Sequence, residues 1–221
     1  MGAPPAIELR EASAGYPGQV VLRDLDLAIH AGERVAVMGR SGAGKTTLLN
    51  LLYRRAAERV ALVPQAAALV KPLSVFHNVY MGRLDRCSTW HNLRTLAWPA
   101  RRDIDEVARV LGLVDLSDKM FAKAGELSGG QQQRTSVARA LYNGRPVLIG
   151  DEPVSALDRL QGAVVLNRLC ERHETAVFAL HDIPLALSQM DRIVVLDEGR
   201  IALDAPARDL HATELVLWYG G

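Results

Sequence analysis

Lysine is scarce in this chain: Lys45, Lys71, Lys119 and Lys123 are the only four in 221 residues, against 22 arginines, so the position of each is informative. Cysteine is scarcer still. Cys87 and Cys170 lie far apart with no CxxC, which excludes a disulfide framework and a cysteine-based metal site. Excess charge of either sign is also missing. With 26 basic against 25 acidic residues, the formal net charge of +1 gives no bulk electrostatic reason to bind nucleic acid or an anionic membrane. No apolar run approaches the ~18 residues that a membrane helix needs. The opening Met1-Gly2-Ala3-Pro4-Pro5 has no basic region followed by an apolar stretch, so no secretory signal is expected. These absences lead to the expectation of a soluble, intracellular protein whose membrane role, if any, comes through a partner. What is present is 49% hydrophobic against 23% charged residues, enough for a sizeable core in one α/β domain with a small inserted lobe.

The patterning agrees. Leu25, Leu27 and Ile29 alternate with Asp24, Asp26 and Ala28, the period of a half-buried strand. Arg34 to Met38, Val60 to Val63, Val147 to Gly150 and Ala176 to Leu180 are short apolar runs suited to strands buried on both faces. Helices are expected over Lys45 to Arg55, from Ser128 as cap to Tyr142, over Leu160 to Arg172 and over Ala207 to Trp218. Arg192 to Asp197 and Arg200 to Leu203 form a hairpin across Glu198-Gly199. Between residues 66 and 127 the β-branched runs fade. Ile104, Val107, Ala108 and Leu111 there follow helical spacing, with Gly112 placed to stop the helix. Residues 66–127 therefore read as a helical lobe set into a core formed by 1–65 and 128–221. Strands alternating with helices imply a mainly parallel sheet with its ligand site at the strands' carboxyl ends.

Gly39-Arg40-Ser41-Gly42-Ala43-Gly44-Lys45-Thr46, followed by Thr47, fits G-x-x-x-x-G-K-[ST] between a strand and a helix. Glycines let the backbone curl so that successive N–H groups point at phosphate oxygens, and the helix adds its positive dipole end. Lys45 supplies a full charge to β- and γ-phosphates, and Thr46 offers a hydroxyl to Mg²⁺. Asp151 and Glu152 follow a buried strand. In an extended segment their side chains point to opposite faces and so serve different roles. Asp151 suits the Mg²⁺ shell; Glu152 suits activation or orientation of a water in line with the γ-phosphate. Leu127-Ser128-Gly129-Gly130-Gln131 opens a helix, where a serine and two glycines form either a second anion site or an ordinary N-cap.

In order, the chain shows the phosphate loop, Gln65, LSGGQ, a strand ending in Asp-Glu, Ser155-Ala156-Leu157-Asp158, and His181 after the next strand. This succession resembles the ATP-binding-cassette (ABC) ATPase family over almost the whole chain. The resemblance implies a P-loop NTPase core with ATP and Mg²⁺ as its ligands. Residues 39–46 are similar to Walker A. Gln65 is similar to the Q-loop glutamine that touches Mg²⁺ and the attacking water. Residues 127–131 are similar to the signature motif, and Asp151 and Glu152 to Walker B and its catalytic glutamate. Ser155 to Asp158 resembles the D-loop, His181 the switch histidine, and Tyr16 the aromatic that stacks on adenine. The resemblance further implies two copies sandwiching two ATP molecules, with Ser128 and Gly130 of one reaching the γ-phosphate held by Lys45 of the other. Its implied partners are transmembrane permease subunits on the cytoplasmic face of a membrane and, indirectly, an extracytoplasmic solute-binding protein.

Val79 to Trp90, Leu93 to Trp98, Gln131 to Arg134 and Leu217 to Gly220 resemble the phosphonate-importer ATPases, which points to a phosphonate or related oxyanion as solute. An amino-acid or metal importer, and a regulatory or hydrolysis-poor ABC ATPase, are the alternatives. Leu69, Leu73, Val75, Phe76, Val79 and Tyr80 are candidates for a permease-docking groove, the alternative being lobe core.

One stretch departs from the relatives. They normally place an antiparallel hairpin between the Walker A helix and the strand before Gln65. Here, if the helix reaches Leu52, only Tyr53 to Arg59 remain, too few for a turn and paired strands. A trimmed antiparallel β-subdomain is expected, with less support for adenine on Tyr16. ATP affinity should therefore be weaker than in relatives that carry the hairpin. Calorimetric titration checks this, and a dissociation constant equal to theirs would reject it.

Overall fold

Two long strands open the structure, a computed structural model that describes residues 4–218. β1 (Ile7–Tyr16) and β2 (Gln19–Ile29) form an antiparallel two-stranded sheet whose register is shifted between Leu9 and Gly15. Ile7, Leu9, Leu25, Leu27 and Ile29 supply its buried face. β3 (Arg34–Met38) leads through the phosphate loop into α1 (Lys45–Ala56), and β4 (Val60–Val63) follows. The expected trimming is observed: a single 3-10 turn, Ala57–Arg59, joins α1 to β4, with no hairpin between them.

The lobe contributes α2 (Val75–Tyr80), a 3-10 segment over Met81–Arg86, α3 (Thr89–Ala97) and α4 (Arg101–Gly112). Then come α5 (Gly129–Asn143), β5 (Val147–Asp151), α6 (Arg159–Arg172), β6 (Thr175–Ala179), α7 (Ile183–Gln189), β7 (Arg192–Asp197) and β8 (Arg200–Pro206). The expected C-terminal helix is shorter than 207–218. A 3-10 turn over Ala207–Asp209 precedes α8 (Ala212–Val216). Tyr219 and Gly220, which bear on the resemblance noted above, lie outside the described residues.

The chain divides into two units by packing. The first runs to Leu62 and resumes over Arg145–Pro153 and from His173 onward. Its main sheet has the order β4-β5-β6-β3-β7-β8, with β3 parallel to β6 and β7, β5 parallel to β6, and β8 antiparallel to β7. Leu48, Leu49 and Leu52 line one face of α1 and are buried against this unit's core, which also holds Leu27, Val35, Ile149 and Val177.

The second unit comprises Val63–Gly144 and Val154–Arg172, wider than the expected insertion at 66–127 because α5 packs on the lobe helices α2 and α4, and α6 packs on α5. Close approach explains part of this. A Cβ on Gly82 would lie 2.6 Å from the Arg139 carbonyl, so only glycine lets the 81–86 segment rest on α5. Gly112 is the last residue of α4 but lacks a left-handed conformation; Asp115 (φ 52°) makes the turn instead.

Leu48 is fully buried. Leu48→Ala should cost about 2–5 kcal/mol through lost contacts and a cavity. For a chain of this size that lowers Tm by roughly 5–15 °C, measurable by calorimetry.

Candidate nucleotide site

β3 delivers the chain into a tight curl in which Gly39 (φ 134°), Gly42 (φ 82°) and Gly44 (φ 104°) all adopt conformations that side chains disfavour. Space reinforces the choice at Gly39, where a Cβ would sit 2.2 Å from the Leu196 carbonyl oxygen. α1 starts at once, with no side-chain cap and no acidic residue in its first turn. A helix start without its own acceptors offers its N–H groups and dipole to an anionic ligand.

Lys45 is 7% exposed, and its Nζ donates to the carbonyls of Gly39 (2.7 Å) and Arg40 (2.9 Å). Burial pushes its ammonium below the ordinary lysine pKa, against the opposing pull of Glu152 and Asp151. The Thr46 hydroxyl donates to Asp151 Oδ2 at 2.7 Å. Burial raises the Asp151 pKa; the Thr46 hydrogen bond and the charges of Lys45 and His181 oppose that, while Glu152 adds to it. Thr46 and Asp151 are hard oxygen donors side by side, a chemistry that fits Mg²⁺.

Asp151 closes β5, but Glu152 is not extended as the sequence reading assumed. It takes a left-handed conformation (φ 52°), with its N–H donating to the Ala179 carbonyl. That turn, rather than strand alternation, separates the two carboxylates. Glu152 Oε1 lies 2.5 Å from His181 Nε2, just beyond the end of β6. Lys45, Thr46, Asp151, Glu152 and His181 thus meet in the first unit at the carboxyl ends of β3, β5 and β6.

Tyr16 is 61% exposed and lines a shallow cleft of about 70 Å³ with Ala14, Gly15, Thr47, Asn50, Leu51 and Arg54. Asn50 and Arg54 were not anticipated. Their signal was available: Thr47, Asn50, Leu51 and Arg54 fall at i, i+3, i+4 and i+7 on one face of α1.

Gln65, Ser128 to Gln131 and Asp158 belong to the second unit. Gln65 is exposed. Ser128 caps α5 through a reciprocal pair: its Oγ accepts from the Gln131 N–H and its own N–H donates to Gln131 Oε1. A Cβ on Gly130 would meet the Ala156 carbonyl at 3.3 Å, so LSGGQ and the 155–158 turn are neighbours within this unit. Asp158 accepts from the Gln161 N–H at the start of α6.

The docking expectation needs correction. Val75, Phe76, Val79 and Tyr80 are buried, because α2 turns that face onto α5, with Phe76 stacked on Tyr80, while Leu69 and Leu73 stay half-buried. Besides Val70, Leu84 and Phe121, the exposed apolar side chains of the lobe gather on α3 and its end. Trp90 (83% exposed), Leu93 and Trp98 (77%) line an open groove with His91 and Arg94. Two of three tryptophans in a chain with 5% aromatics were the missed signal.

Among the described residues no helix is long and apolar enough to cross a membrane. The pattern of the ABC transporter family matches residues 22–59 and 53–155, two stretches that meet where the hairpin is missing. The chain is 37% identical to a phosphonates import ATP-binding protein of Pseudomonas syringae pv. tomato, over 97% of this chain and 89% of that one. It is 36% identical to its namesake in Pseudomonas entomophila, over 97% and 91%. Among solved structures it resembles a dimeric bacterial ABC transporter cassette (TM-score 0.80, 26% identity, covering 91% of this chain and 99% of that one). It also resembles a dimeric post-hydrolysis cassette bound to ADP and Pi (TM-score 0.79, 25% identity, 91% and 99%). With the phosphate loop, the Asp-Glu pair and the histidine assembled on this sheet, the chain belongs to the ABC transporter family and is one of its ATPase cassettes.

Proposed function

We propose that this chain is the ATP-binding and hydrolysing subunit of an importer, working as a pair of copies on the cytoplasmic face of a membrane. It drives permease subunits that take up a phosphonate or related oxyanion delivered by a solute-binding protein. One observation carries the reading: Lys45, Thr46, Asp151, Glu152 and His181 meet at the carboxyl ends of neighbouring strands in a chain 37% identical, nearly end to end, to a protein named for phosphonate import.

In this reading the Gly39 to Gly44 curl, with Ser41 and Ala43, wraps the β- and γ-phosphates. Lys45 leaves its own loop carbonyls for phosphate oxygens, while Thr47 and Tyr16 border the nucleotide, Tyr16 against the base. Thr46 and Asp151, with Gln65, would hold Mg²⁺, whose charge would offset that of the phosphates. Glu152 orients the attacking water and takes its proton, and His181 contacts the γ-phosphate. Ser128, Gly129, Gly130 and Gln131 of the second copy cover that phosphate, and Asp158 lies in the adjoining turn. Sealing matters because a charge pair at 4 Å is worth about 1 kcal/mol in water and about 4 kcal/mol in a protein-like medium. For the permease, the exposed Trp90, Leu93 and Trp98 groove supports docking of a short amphipathic helix, with Arg94 in the groove suiting an acidic residue on it.

Glu152→Gln should bind ATP, lose at least about 100-fold in turnover, and accumulate as an ATP-bound dimer on size-exclusion chromatography. Equal turnover by the two proteins would overturn the assignment of Glu152. Trp90→Ser with Trp98→Ser should leave the isolated subunit's ATPase activity intact but abolish its co-purification with the co-expressed permease. Full recovery of that complex would place docking elsewhere.

A further inference from the structure

A second polar cavity, about 200 Å³, lies in the second unit near the end of α5 opposite LSGGQ. Arg83 reaches it from the 81–86 segment, Glu106, Arg109 and Val110 from α4, Tyr142 from α5 and Arg172 from the end of α6. Three arginines against one carboxylate leave two positive charges in excess.

That carboxylate is already committed. Glu106 Oε2 accepts from Arg83 at 3.1 Å and Oε1 from Arg102 at 3.1 Å. The Arg83 guanidinium lies 4.2 Å over the Tyr142 ring, and its Nε is buried with no hydrogen-bond partner among the described residues. Arg109 donates only to the Asp105 backbone carbonyl, at 3.3 Å, and Arg172 makes no ion pair among the described residues. Two exposed guanidinium groups with no carboxylate partner among the described residues, beside a third already held by Glu106, give this cavity a local positive field that favours an anion.

Size and shape narrow the choice. The volume falls below the ~300 Å³ typical of drug-sized ligand sites. Tyr142 is buried and already stacked by Arg83, so it offers little to a nucleobase. Planar guanidinium forks match tetrahedral oxyanions, and Val110 gives one apolar wall for a small carbon substituent.

We propose that this cavity binds a dianionic tetrahedral oxyanion, phosphate or a small phosphonate, as a site separate from the phosphate loop. The site stands on its own residues and does not depend on the importer reading, although the solute class named there is the same.

The test is calorimetric titration of inorganic phosphate and methylphosphonate into the full chain carrying Lys45→Ala, which disables the phosphate loop. One site per chain is expected. Arg109→Ala and Arg172→Ala, each in that background, should weaken it about tenfold, and together abolish it. Both side chains are exposed, and an unchanged Tm confirms that the fold is intact. Binding unaffected by the double change, or none at about 10 mM phosphate, overturns the proposal. Arginine-dependent co-sedimentation with phosphatidic acid vesicles, without binding of free phosphate, overturns it in favour of a lipid headgroup. Loss of ATP turnover alone bears only on the importer reading.

Discussion

A buried ammonium must be surrounded by oxygen, and in this chain that requirement falls on Lys45. Its nearest partners are two main-chain carbonyls of the loop that precedes it, Gly39 and Arg40. The loop must therefore double back on itself, which needs positive φ at Gly39, Gly42 and Gly44. It must also be anchored on both sides. β3 lies between β6 and β7 in the sheet, and α1 is held down by Leu48, Leu49 and Leu52. Neutral carbonyls only partly offset the burial, as the lowered pKa of Lys45 indicates. A phosphate in the curl would replace them with full negative charge. The same curl that conceals the lysine thus gives it a reason to exchange partners.

The missing hairpin poses a mechanical problem, because α1 must reach β4 in three residues. Arg145 addresses it: the guanidinium donates to the carbonyls of Ala57 (3.0 Å) and Val60 (3.2 Å), tying both ends of the short link. His173 Nδ1 donates in turn to the Arg145 carbonyl at 2.6 Å, fixing the residue that makes the tie. The Ala57 carbonyl at the helix end, which also accepts from the Val60 N–H, and the Val60 carbonyl at the start of β4 are thereby held by one side chain rather than by a supporting strand pair. The core of the first unit can close without the hairpin. The cleft beside Tyr16 is left shallow and open, in line with weak seating of a base.

Much of this was legible in the sequence, for identifiable reasons. β4 was bracketed correctly because Val60 to Val63 is a short apolar run closed by Pro64. α5 was bracketed to within a residue because Ser128 and Gly144 are capping residues that act locally. The phosphate loop was legible because its chemistry demands particular residues at particular spacings. Tertiary choices were not. Phe76 and Tyr80 fall on one face of a helix, and nothing in their spacing says whether that face meets α5 or solvent. The pairing of α5 with the lobe rests on close approaches such as Gly82 on Arg139, between residues far apart in the chain. The Arg83, Arg109 and Arg172 cavity is invisible in sequence for the same reason.

Glu152 is the least expected element and bears most on chemistry. Its left-handed backbone costs on the order of 1 kcal/mol or more relative to an extended residue. The return is geometric. The turn carries its carboxylate away from Asp151, so one acid meets the Thr46 hydroxyl while the other meets His181. Two adjacent carboxylates on one side would repel each other, raising both pKa values and blurring their roles. Separated, each is held by a different partner. For Glu152 to take a proton from water, on the reading proposed above, a carboxylate lone pair must face that water, and loss of the His181 contact would open one at Oε1 and raise the basicity of the group. A γ-phosphate is the acceptor that could draw the histidine away. Ligand arrival and the release of the base would then be one event.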